Sequence, residues 1–80
     1  MARLRLFAQA REAAGVASLE IEASTVGALL AVARDELGAA FGAVLDTSRV
    51  WVNGDEPASG DDTALASDDE VAVLPPVSGG

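Results

Sequence analysis

The 80-residue sequence has no cysteine, no histidine and no lysine. Without cysteine there is no disulfide framework, no thiol nucleophile and no redox motif, and nothing marks the chain for an oxidising compartment. Without histidine the most versatile acid/base group and metal ligand is missing. All five cations are arginine, so the side chains offer no amine for Schiff-base or isopeptide chemistry. Aromatic residues are scarce too, only Phe7, Phe41 and Trp51, while half of the chain is apolar; the core should therefore be aliphatic and rich in small side chains. No apolar run approaches the ~20 residues of a membrane span, and Arg3, Arg5 and Arg11 interrupt any signal-peptide pattern. A soluble, cytoplasmic protein with no membrane association is expected.

A chain of this length is one domain and buries only roughly 60 to 65% of the surface its unfolded form exposes, which argues against a deep enclosed active site. The net charge is 5 minus 13, or −8, and it is unevenly placed. Residues 1–40 carry four arginines and five acids, whereas residues 41–80 carry one arginine and eight acids. Nucleic acid is a poor partner for such a chain, because phosphate contact needs clustered cations. The net charge points instead to a basic protein partner.

"RLRLFA" (residues 3–8) alternates polar and apolar, with Leu4 and Leu6 on one side and Arg3, Arg5 and Phe7 on the other, and predicts a strand. "QAREAAG" allows a turn or two of helix ending at Gly15. "SLEIE" alternates again with Leu19 and Ile21 inward, close enough to the first strand to form an antiparallel hairpin. In "STVGALLAVARDELG" the residues Val26, Leu29, Leu30, Ala33 and Leu37 make a single helical stripe, with Ser24 or Thr25 to cap the start and Gly38 the end. Gly27 inside that helix costs about 1 kcal/mol relative to Ala, which suggests a close approach to the sheet. "AAFGAVLD" has the spacing for one more helical turn through Phe41, Val44 and Leu45. "RVWV" predicts a strand with Val50 and Val52 on one face and Trp51 on the other, turning at Asn53-Gly54. A short edge strand around residues 56–58 would contain Pro57, which confines it to an edge. "EVAVL" (residues 70–74) ends the pattern, with Val71 and Val73 inward and Ala72 and Leu74 outward.

One substantial helix can cover one sheet face, so these elements predict a two-layer α+β domain over residues 1–74. A mixed sheet of four to five strands would place the last strand at its centre, parallel to the first. Residues 75–80, "PPVSGG", then leave from the middle of the sheet as a flexible tail.

Candidate chemistry within the domain is thin. The acids Asp61, Asp62, Asp68, Asp69 and Glu70 lack the alternating pattern and bidentate Glu of a calcium loop and read as turn and cap residues. No metal site is expected. Asp35 and Glu36 are adjacent on a helix and point apart. There is no phosphate-binding glycine loop, and with neither His nor Cys a nucleophilic triad cannot be assembled. Free-standing catalysis is thereby all but excluded. What remains is a sheet face carrying Phe7, Trp51 and Leu74, which suits a partner surface, and the tail. Six extended residues reach roughly 20 Å, Pro75 and Pro76 stiffen the base, and Gly79 and Gly80 have no Cβ to obstruct entry into a narrow slot. The reactive group at the tip is the Gly80 carboxylate, which becomes electrophilic only after another protein activates it.

"LFAQAREAAG", "VWVNG", "DDEVAVLPPVSGG" and the single long helix, taken together, resemble the small subunit of molybdopterin synthase, a MoaD-type ubiquitin-like sulfur carrier with a β-grasp fold. The resemblance runs the whole length and is most specific in the first and last segments. It implies that an E1-like adenylating enzyme uses ATP to form an acyl-adenylate at Gly80, that a sulfur donor protein displaces AMP to leave a thiocarboxylate, and that the sulfur passes to cyclic pyranopterin monophosphate inside the large synthase subunit. The small subunit would be the non-catalytic part of a sulfurtransferase, in a heterotetramer with that large subunit, binding no cofactor of its own. By position, Gly80 is the carrier terminus and Gly79 its slender neighbour. Val77 and Ser78 would line the partner's channel, Phe7, Trp51, Leu74, Pro75 and Pro76 would seat the domain, and Arg11 would make a polar contact at the rim. A sulfur carrier for thiamine or cysteine synthesis, and a ubiquitin-like protein modifier, are the alternatives.

Overall fold

The structure, a computed structural model, describes residues 1–76. Its elements in chain order are β1 (Ala2–Leu6), α1 (Ala8–Ala14), β2 (Ser18–Ile21), α2 (Val26–Leu37), α3 (Ala39–Asp46), β3 (Arg49–Val52), a 3₁₀ turn (Gly60–Asp62) and β4 (Glu70–Leu74). The strand order is β2-β1-β4-β3. β1 pairs antiparallel with β2 and parallel with β4, and β4 pairs antiparallel with β3. The last strand thus lies at the sheet centre beside the first, as the alternation predicts.

Alternation decides which face is buried. Ala2, Leu4 and Leu6 of β1 and Val71 and Val73 of β4 are sealed beneath the helices, together with Ile21, Leu29, Ala33, Phe41 and Leu45. On α2 the expected stripe is inward, and the hydroxyl of Thr25 caps the helix by accepting from Ala28 N–H at 3.1 Å. α1 stops at Gly15, whose φ of 78° closes the helix in the left-handed region. The Asn53-Gly54 turn has φ of 51° and 86° at its two central residues, and Val52 and Asp55 exchange both backbone hydrogen bonds across it. Positive φ at both positions is what this tight hairpin turn requires.

Three expectations are corrected. The segment 39–46 is a helix of eight residues rather than a single added turn. Its last turns are tied by side chains from outside it: Ser48 Oγ and Thr47 Oγ1 donate to Val44 C=O at 2.7 and 3.2 Å, and Arg34 of α2 donates to Gly42 C=O at 3.3 Å and to Asp46 at 2.6 Å. The edge strand at residues 56–58 does not form. Only a single bridge, Val52 to Asp55, follows the turn; Pro57 has no N–H to extend the ladder, and the sheet has four strands.

The third correction concerns Gly27, which faces the 3₁₀ turn and not the sheet. A Cβ there would lie 2.9 Å from Asp61 Cβ and 3.1 Å from Asp61 C=O. Because one of those atoms is backbone, the clash cannot be relieved by rotating a side chain. Gly27→Ala should therefore destabilise the domain by about 1 kcal/mol, the overpacking cost exceeding the gain in helix propensity; a denaturant midpoint equal to or above that of the natural chain would contradict this contact.

Candidate functional site

The sheet face away from the helices is built from three rungs. Nearest the end of β4 are Arg49 and Leu74, directly opposite each other. Next come Trp51, Ala72, Arg5 and Ser18, and then Glu70, Arg3 and Glu20. Phe7 follows β1 one residue beyond the Leu6–Val73 pair, which sets it on the Leu74 side, and the residue is 39% exposed. Period-2 alternation sends these side chains outward while their neighbours enter the core. Phe7, Trp51 and Leu74 therefore share one face, with Ala72 between them, as expected from the sequence.

Phe7 is held there by a sharp change of path. It keeps extended dihedrals (φ −127°, ψ 153°) and is followed at once by Ala8 with φ of 49°, after which α1 begins. The Phe7 carbonyl accepts from Ala10 N–H at 3.0 Å and Arg11 N–H at 3.3 Å. The chain thus turns away under the helix layer and leaves the ring behind on the sheet. Arg5 stacks its guanidinium 5.7 Å from the centre of that ring and reaches Glu70 at 3.7 Å, within the range of a cation–π contact.

Pro75 is half-buried beside Leu74 and Pro76 is exposed, so the chain leaves the sheet centre at the apolar end of this face. Val77, Ser78, Gly79 and Gly80, which the sequence marks as channel-lining and carrier positions, lie outside the described residues. Arg11 is exposed on α1, off the outer sheet face and one helical turn from Phe7. Sequence reasoning did not single out Arg5, Arg49 or Ala72 as neighbours of the tail base. Alternation gives their face, but only strand pairing shows that they adjoin Leu74 and Phe7.

The acidic segment does what turn residues do. Asp69 accepts from Ala66 N–H at 2.7 Å and Asn53 Nδ2 at 3.0 Å, while Asn53 Oδ1 accepts from Glu70 N–H at 2.9 Å. The Ala66 and Asn53 donors hold the Asp69 carboxyl below the usual aspartate range. A depressed folded-state value means stabilisation that is complete above the ordinary aspartate pKa and is lost as pH falls through the depressed one. Asp69→Asn should accordingly lower the denaturant midpoint at neutral pH, with the difference from the natural chain shrinking under acid; a difference independent of pH would show that the charge plays no part. Among the described residues no group of three or more carboxylates is arranged to hold a metal ion, and no helix is long and apolar enough to cross a membrane.

Residues 4–80 match the ThiS family. No curated protein is matched by the sequence. Among solved structures, the chain is similar to small archaeal modifier protein 1 of Haloferax volcanii, with 31% identity and a TM-score of 0.85 over 99% of this chain and 98% of that one. It is similar to small archaeal modifier protein 1 of Methanosarcina acetivorans, with 29% identity and a TM-score of 0.86 over 99% of this chain and 95% of that one. A putative molybdopterin converting factor, subunit 1, of Pyrococcus furiosus is 28% identical with a TM-score of 0.82, over 95% of this chain and 97% of that one. The mixed four-stranded sheet with its helical layer is the ubiquitin-like β-grasp fold of these neighbours.

Proposed function

The chain belongs to the ThiS family of ubiquitin-like sulfur carriers, and from that premise we propose that it is the small subunit of a molybdopterin synthase, carrying sulfur on the Gly80 carboxylate. The observation that carries the reading is the parallel pairing of β4 with β1, which brings Leu74 to the sheet centre on the Phe7 side. A tail that starts at the middle of a partly apolar face enters a partner as that face docks. Similarity to the putative converting factor of Pyrococcus furiosus supports the pathway, and the family match extends through residue 80.

In the proposed reaction a Gly80 carboxylate oxygen attacks the α-phosphorus of ATP on an adenylating enzyme, and pyrophosphate leaves. A hydrosulfide equivalent from a donor protein then adds to the acyl carbon, AMP departs, and a thiocarboxylate remains. The large synthase subunit brings that thiocarboxylate to cyclic pyranopterin monophosphate, where the sulfur bonds to the substrate, water cleaves the acyl–sulfur bond, and the sulfur stays on the substrate while the carboxylate is regenerated. This chain contributes an unhindered acyl group and reach; acid, base and nucleotide-binding groups belong to the partners.

The test is to incubate the chain with its host's adenylating enzyme, ATP and a sulfur donor and weigh it intact. Exchange of one oxygen for sulfur is expected, and an unchanged mass would refute the carrier role. Co-purification of the large subunit identifies the synthase, as opposed to a thiamine or cysteine pathway. A second reading, a protein modifier, draws on the similarity to the two small archaeal modifier proteins. It predicts attachment of the chain to other proteins in the same incubation.

A further inference from the structure

The chain has one asparagine, Asn53, and it is followed by Gly54 in the tight turn that leaves β3. An Asn-Gly pair carries a reaction of its own. The glycine nitrogen, with no side chain on its own residue to obstruct it, attacks the Asn Cγ. A C–N bond forms, the Cγ–Nδ2 bond breaks, and ammonia leaves with the proton that the glycine amide gives up. The five-membered succinimide then takes up water at either carbonyl. Ring opening at Cγ leaves aspartate, and ring opening at the backbone carbonyl leaves isoaspartate, with the main chain running through the former side chain.

The turn leaves the attacking group open and holds the group to be attacked. Among the described residues Gly54 N–H donates to no acceptor, and a Cβ built on Gly54 would have nothing within 4 Å. Asn53, in contrast, is bound on three sides: Nδ2 donates to Asp69 Oδ1 at 3.0 Å, Oδ1 accepts from Glu70 N–H at 2.9 Å, and the Asn53 N–H donates to Glu70 C=O at 2.8 Å. Val52 and Asp55 close the turn with bonds of 2.7 and 3.0 Å. In a type I′ turn ψ of the first central residue is about 30°, which sets Gly54 N nearly opposite Asn53 Cβ across the Cα–C bond, whereas the ring needs the two on the same side. Ring closure therefore requires that bond to rotate, and with it the release of the Val52–Asp55 pair and of the Asn53 side chain.

We infer that Asn53 is a site of slow self-modification with water as the only co-reactant, and that its hydrogen bonds to Asp69 and Glu70 gate the reaction by holding the amide on the β4 side. The product cannot rebuild the latch. Aspartate at this position has no donor for Asp69 and sets one carboxylate against another, and isoaspartate lengthens a two-residue turn by one methylene. Either product frees the turn from Glu70 at the start of β4, the strand whose other end is Leu74 at the tail base.

The reaction is read as loss of the Asn53 amide from the full chain at mildly alkaline pH, by intact mass, with peptide mapping to separate Asn53 from the one glutamine, Gln9. Conversion should be at least about tenfold slower in the folded chain than in the same chain unfolded in urea, since only the open fraction of turns reacts. Asp69→Ala should speed the folded reaction about fivefold or more and leave the rate in urea unchanged. Asp69→Asn, which keeps an acceptor for Nδ2, should fall between. Asp68→Ala, next in sequence but outside these bonds, should leave the folded rate within about twofold. Gly27→Ala lowers overall stability away from the turn and should also leave it within about twofold, because local opening precedes global unfolding. Circular dichroism checks that each variant is folded. Equal rates in the folded and unfolded chains, an unchanged rate for Asp69→Ala, or a rise for Gly27→Ala as large as that for Asp69→Ala overturns the inference.

Discussion

A chain carrying one additional alanine after Gly80 is expected to fold as the natural chain does and to form no detectable thiocarboxylate. The added residue moves the terminal carboxylate by about 3.5 Å and replaces the bare end with a Cβ-bearing residue. Attack by a carboxylate on a bound nucleotide needs the reacting atoms about 3 to 3.5 Å apart, and an error of about 1 Å can already lower the rate some hundredfold. Deleting Gly80 shifts the group by the same distance in the other direction and should be equally damaging. Stability should be unaffected by either change, because among the described residues the buried core lies between Ala2 and Val73. The two readouts, intact mass after incubation and the thermal unfolding midpoint, separate a lost carrier terminus from a lost fold. Normal sulfur loading of the extended chain would remove the terminal carboxylate from the mechanism.

The largest expected effect on stability is that of Phe41→Ala, a loss of about 3 to 5 kcal/mol. Phe41 is fully buried and is the largest such side chain in the domain. It belongs to α3, which packs against both α1 and α2, and it is part of the same buried cluster as the leucine, valine and alanine side chains of the sheet. Small side chains cannot move far enough to close the space left by an aromatic ring. Total stability for a domain of this length is only about 4 to 12 kcal/mol, and the variant should therefore be substantially unfolded well below the natural midpoint. Phe41→Leu, which keeps most of the volume, should lose appreciably less. Equal denaturant midpoints for the alanine variant and the natural chain would mean that α3 does not close the core.

How much of this was legible in the sequence depended on how local the cause was. Strict alternation in residues 3–7 and 70–74, the helical stripe from Val26 to Leu37, the Thr25 and Gly38 ends and the Asn53-Gly54 turn are set by interactions within a few residues, and each lies where the sequence places it. The inward and outward faces followed from the same alternation, including the outward trio of Phe7, Trp51 and Leu74. The second turn of segment 39–46 is not legible in its own residues because it rests on partners outside it, with Arg34 reaching across from α2. The surroundings of Gly27 are hidden from the sequence for a similar reason: the neighbour that excludes a side chain is Asp61, brought close by the loop between β3 and β4.

By itself, then, the sequence determined the two-layer architecture and the identity of the apolar residues that build it, since composition and short-range periodicity are properties of the chain alone. Tertiary structure decided which charges stand beside the tail base. Arg49 and Leu74 are 25 positions apart and meet only because β3 pairs antiparallel with β4, and the same folding brings Glu56 to 3.9 Å from Arg49 and Glu70 to 3.7 Å from Arg5. Net charge sums over the whole chain, but a docking partner responds to the charges within about a Debye length, and strand pairing sets that neighbourhood.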